Sequence, residues 1–191
     1  MACVLVGVLA GGCGRGHSGS AAAPGCRPPL QEALDPHSTE HLFPGAAEPA
    51  YLTNPPTSGP HRLGPPPTGV VAAPISRPVQ VAMLELGYVI IQYRAGAAGA
   101  APVADAAGGA GAAALAAGAG APPALAALAG DRVTVAPGLS APALPAPIVA
   151  TAWTWKMECG TADATALAAF IAAHRGKGFS HSLGPQVTSG P

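Results

Sequence analysis

Charge is scarce in this chain. Nine Lys and Arg and nine Asp and Glu make up 9% of its 191 residues, against about a quarter in ordinary soluble domains. The net charge is zero, so no basic face exists to meet a phosphate backbone, and nucleic acid is excluded as a partner. Aromatic residues are equally thin at 4%, and much of the 49% apolar share is alanine, which points to a small core. No Gly-x-Ser-x-Gly, no Gly-rich phosphate loop and no Cys-x-x-Cys is present, which removes the familiar hydrolase, nucleotide and dithiol signatures. Glycine (26) and proline (23) instead take about a quarter of the chain, at the edge of low complexity. The length suits one domain with unstructured flanks.

Residues 2–12 are uncharged and apolar, and polar residues begin at Arg15. Such a run is too short to span a bilayer, which takes about 20 residues, but it suits the apolar part of a signal peptide. Ala10-Gly11-Gly12-Cys13 resembles the cleavage box of bacterial lipoproteins, in which the cysteine becomes the lipid-bearing first residue. The expectation is a signal over 1–12, lipidation at Cys13 and membrane attachment outside the cytoplasm. A non-lipidated signal with secretion is the alternative. Cys26 and Cys159 then remain, and in an oxidising compartment a disulfide is their natural pairing, with two free thiols as the alternative.

Residues 13–36 read as a flexible tether, and prolines between Glu48 and Gly69 mark an extended loop. Val79 to Tyr93 reads as the best strand, centred on Val89-Ile90-Ile91. Of the 36 residues 95–130, 28 are Ala or Gly, an insert with helices around Ala112–Ala117 and Ala124–Ala129. Arg132–Ala136 and Ile148–Trp155 read as further strands, the latter placing Trp153 and Trp155 on one face. Asp163 is a ready N-cap for a last helix carrying Leu167, Phe170, Ile171 and His174 on one stripe. These elements predict a single α+β domain over 37–178, a small, mainly antiparallel sheet with one or two helices packed on it, and a loose tail over 179–191.

The segment Tyr51-Leu52-Thr53-Asn54-Pro55-Pro56-Thr57-Ser58-Gly59-Pro60-His61 is the most specific feature. With Leu84, Glu85, Gly87, Tyr93-Arg94, Val135-Ala136-Pro137 and Thr151-Ala152-Trp153 following in order, it resembles the bacterial family called domain of unknown function 3105. That family carries H-N-L-E-H after the proline-rich loop, which implies a metal or acid–base constellation of histidines around a carboxylate. Here His61 and Glu85 match the pattern, while Ala82 and Leu86 stand where the two histidines would be. Two imidazoles at those positions can share an ion only if Ala82–Leu86 is a helical turn or bend, with the strand starting near Gly87.

The candidate ligand-binding residues are therefore His61, Glu85 and Trp153. His37 and His41, four apart, could join His61 as metal ligands if their segment were helical. Glu85 could instead pair with Arg62 or Arg94, and Ser58 with His61 reads as turn chemistry rather than a nucleophile and base. The resulting expectation is a non-catalytic, lipid-anchored extracytoplasmic binding domain without a cofactor, its protein or small-molecule ligand left open. The alternative is a metal-dependent or acid–base enzyme using His61 and Glu85 with upstream histidines and a divalent transition metal.

Overall fold

In the computed structural model, which describes residues 25–94 and 120–179, the β-branched run lies near the middle of a six-stranded sheet. In chain order the elements are β1 (Leu30–Gln31), β2 (Gly69–Val70), α1 (Arg77–Glu85), β3 (Val89–Tyr93), α2 (Pro123–Ala126), β4 (Val133–Pro137), β5 (Ile148–Ala152), β6 (Trp155–Cys159) and α3 (Ala164–His174). The sheet order is β1-β6-β5-β3-β4-β2. The pairs β1–β6, β6–β5 and β5–β3 are antiparallel, and β3–β4 and β4–β2 parallel. The fold is α+β as expected, but with a larger sheet than the sequence suggested. Leu30–Gln31 and Gly69–Val70 are two-residue edge strands that no alternation could reveal.

Every residue of β3 is buried, which is why Val89, Ile90 and Ile91 run apolar without alternating. Val89 and Ile91 join Val133, Val135, Ile148, Leu125 of α2, and Leu167 and Phe170 of α3 on one face. Ile90 joins Val81, Met83, Leu84 and Trp153 on the other. The topology explains this division. β3 lies two places from β2 in one direction and β4 lies one place back in the other, so the usual right-handed sense of parallel connections predicts α1 and α2 on opposite faces, where they are found.

Several expectations need correction. Val79–Glu85 is helix, not strand. Pro78 stands in the first turn of α1, where its missing N–H costs nothing. The helix closes on Gly87, at φ +81, with Gly87 N–H donating to Leu84 O (2.9 Å) and Tyr88 N–H to Met83 O (3.0 Å). That pair of bonds is the Schellman arrangement, which favours glycine. The strand begins two residues later, so the backbone condition on Ala82–Leu86 is met.

Ile148–Trp155 is two strands, not one, because the chain reverses at Trp153-Thr154 and pairs Ala152 with Trp155. Trp153 and Trp155 consequently belong to opposite faces. The expected tether ends early, since β1 pairs with β6 through Leu30 and Lys156. Phe179, placed in the loose tail, packs edge-on against Trp153 with ring centres 5.6 Å apart. Helix α2 is shorter than expected, ending at Ala126.

Other features match. The carboxylate of Asp163 accepts the Ala166 N–H at 3.0 Å, capping α3 as its position suggested. Cys26 and Cys159 form a disulfide across 133 residues, tying the chain before β1 to β6. The signal over 1–12, Cys13, residues 13–24, the helix at Ala112–Ala117 and residues 180–191 lie outside the described residues.

Candidate metal centre

The proline-rich motif acts as a clamp. Thr57 O accepts the Thr154 N–H at 3.0 Å, and Ser58 Oγ accepts the Asp35 N–H at 2.9 Å. Ser58 is thus occupied in a backbone bond, as turn chemistry required. Gly59 has φ +128, and a Cβ there would stand 3.0 Å from the Tyr51 ring and 3.2 Å from Asp35 Oδ2. Only glycine fits. Tyr51 donates its hydroxyl to Pro60 O at 2.8 Å, and burial raises its pKa so that it stays a donor. The Arg62 N–H then bonds Pro78 O at 3.2 Å, fastening the motif to the start of α1. Pro78 and Glu85 are seven residues apart, two turns along one helix face, so His61 is held alongside Glu85.

His41 arrives by a different route. Leu42 N–H donates to His61 O (2.7 Å) and His61 N–H to Glu40 O (3.0 Å), forming a short parallel bridge between His41 and His61. The imidazole centres lie 4.9 Å apart. The outcome is a cluster of His41, His61 and Glu85 whose ligand atoms all lie within 4.8 Å of one another. His61 is fully buried, Glu85 is 24% exposed at its side chain, and His41 is exposed.

Of His37, His41 and His61, expected together as metal ligands, the structure brings His41 and His61 together, while His37 stands apart. Its segment is a turn rather than a helix, so the four-residue spacing to His41 does not bring both rings to one face. His37 Nδ1 instead meets Glu40 Oε1 at 2.6 Å on the surface, and this bond raises its pKa. Glu85 takes the third place. Neither arginine considered for it is engaged there. Arg62 donates to Ala46 O at 3.3 Å, and Arg94 to Leu144 O at 3.2 Å. Ala82, three residues before Glu85 on the same helix face, is buried and offers no donor atom. Trp153 lies in the core beneath α1, and its Nε1 is buried with no acceptor among the described residues.

The surroundings of His61 decide what the cluster can do. Its Nδ1 is 3.2 Å from Gly59 O, and its Nε2 is 2.8 Å from Glu85 Oε2. The second contact is an ion pair by distance, and Nε2 makes no hydrogen bond among the described residues. A neutral imidazole has one N–H and cannot satisfy two oxygens. If Nδ1 donates to Gly59 O, the lone pair of Nε2 faces a carboxylate, and a cation shared by both relieves that contact. A backbone carbonyl fixing one ring nitrogen while the other ligates is a recurrent arrangement in metal sites. Two imidazoles and a carboxylate suit zinc or copper rather than magnesium or calcium, which prefer all-oxygen shells. Around a tetrahedral zinc with bonds of about 2.0–2.1 Å, neighbouring ligand atoms stand about 3.4 Å apart, so separations of up to 4.8 Å need to close and the 2.8 Å His61–Glu85 pair needs to open slightly.

Fold and site together define an α+β domain stapled by the Cys26–Cys159 disulfide, with a histidine–carboxylate cluster between its motif loop and first described helix. The family model described as Protein of unknown function (DUF3105) matches residues 46–186, and the chain belongs to that family. No curated protein and no solved structure matches it.

Proposed function

We propose that this is an extracytoplasmic metal-binding domain, attached to the membrane by lipid on Cys13, in which His41, His61 and Glu85 hold a zinc or copper ion. One observation carries the metal reading: buried His61 faces an oxygen from each ring nitrogen, and its Nε2, 2.8 Å from Glu85 Oε2, makes no hydrogen bond among the described residues. The Cys26–Cys159 disulfide supports an oxidising address, since such bonds are rare in reducing compartments. No described helix is long and apolar enough to cross a membrane, and the Ala10-Gly11-Gly12-Cys13 box supplies the attachment. On this reading the domain binds and presents its ion without turning over a substrate.

A second reading has one observation in its favour. The cluster contains three ligands, and catalytic zinc sites keep a fourth position open for water or substrate. A metal-dependent enzyme would use the same three residues. Elemental analysis of the mature protein tests what the readings share: about one zinc or copper per chain is expected, and a folded protein free of both after incubation with each would overturn it. The address is tested by Cys13→Ser, which should move the protein out of the membrane fraction, since stable anchoring depends on the acyl chains. Unchanged membrane partition would overturn the lipid attachment.

A further inference from the structure

An open cleft of about 400 Å³ lies away from the histidine cluster, at the end of the sheet where β5 turns into β6. Gln31 from β1, Trp153, Thr154 and Trp155 from the hairpin, and His174 and Lys177 from the end of α3 line it. We propose that this cleft is a saccharide-binding site that receives a pyranose ring against Trp155.

Three features carry this inference. First, Trp155 is only partly buried, and His174 supports it from α3 with ring centres 4.8 Å apart. His174 in turn rests on Phe170 at 4.5 Å, so the platform is braced from the core. An indole held rigid and partly open offers an apolar face to the C–H side of a sugar ring. Second, Trp153 lines the cleft, and its buried Nε1–H has no acceptor among the described residues. An unpaired buried donor is costly, and a ligand hydroxyl that reached this indole edge on entry would satisfy it. Third, the remaining polar groups suit hydroxyls. No hydrogen bond among the described residues uses the ring nitrogens of His174, and burial, with Lys177 nearby, lowers its pKa so that it is neutral at pH 7. A neutral imidazole presents one donor and one acceptor, as a sugar hydroxyl does. Lys177 and Gln31 add exposed donors at the rim, whereas Glu32 is already paired with Lys156 at 2.8 Å.

The chain has two tryptophans, and both line this cleft. Intrinsic fluorescence therefore reports its occupancy directly. Titrating the mature protein with chitotriose and, separately, cellotriose should give a saturable change in tryptophan emission with at least one of them. Trp155→Phe and Lys177→Ala should each weaken that binding, the former by about tenfold or more. Lys177 is exposed, so its variant keeps the test valid if the tryptophan change disturbs folding. No saturable response to either trisaccharide, a response left unchanged in both variants, or a response to a proline-rich peptide alone would overturn the proposal. Metal binding by His61 is read separately, so the two sites stand or fall independently.

Discussion

The backbone of Gly178 lies against the carbonyl of Glu85, so closely that a Cβ built on Gly178 would stand 1.9 Å from that oxygen. The same segment is tied to the end of α1 by a hydrogen bond from Gly176 N–H to Gly87 O at 2.8 Å. The chain after α3 thus buttresses the helix end that carries the acidic member of the cluster. Gly178→Ala should push this segment away, costing about 1–3 kcal/mol as overpacked sites do, and should weaken metal binding. Chemical denaturation of the variant checks the first part. An unchanged midpoint would show that the segment yields freely.

The disulfide provides a second test. Closing a loop of more than a hundred residues stabilises by about 4–5 kcal/mol in the chain-entropy account. It also pins the segment entering β1, an edge strand of two residues. Cys26→Ser with Cys159→Ser should lower the stability by an amount of that order, measured by urea unfolding. A loss below about 1 kcal/mol would mean that β1 holds without its staple.

His174 gives a pH dependence with a definite sign. Burial first, and Lys177 second, lower its pKa from the ordinary value of 6.5. Above that value both folded and unfolded chains hold it neutral, and it contributes no slope. As pH falls below 6.5, the unfolded chain takes up the proton first, so stability should decline until the folded pKa is passed. His174→Gln should flatten that part of the stability curve. An unchanged slope would place its origin elsewhere.

How much of this was legible in the sequence differs from element to element. Asp163, Leu167 and Phe170 announced α3 because cap and stripe are local signals. Helix α1 was misread because Val79, Val81, Leu84 and Leu86 suggested a continuation of the β-branched run. The better signals were Pro78 just inside the start and Gly87 just past the end. The hairpin at Trp153-Thr154 carries neither glycine nor proline, and Thr154 adopts φ +59 without advertising it. His61 and Glu85 stood out through the motif and its register. The choice between His37 and His41 depended on a parallel bridge to His61, a long-range contact that spacing does not encode.

The helical backbone over Ala82–Glu85 makes a gain of function testable. Ala82 and Glu85 are three residues apart on α1 and share a face, and Leu86 follows at the C-cap. Ala82→His with Leu86→His should tighten zinc or copper binding by adding imidazoles beside His61 and Glu85. Competition against a chromogenic chelator measures the difference. Affinity no tighter than that of the parent chain would show that side chains at these positions do not reach the ion.

The central claim is that His41, His61 and Glu85 bind one metal ion together. Calorimetric titration of the mature protein with zinc, and then with copper(II), tests it most directly when His61→Ala and Glu85→Gln are run alongside. One equivalent should bind, and each substitution should weaken binding by about tenfold or more while the fold persists. No binding of either ion, or equal binding by parent and both variants, would contradict the account.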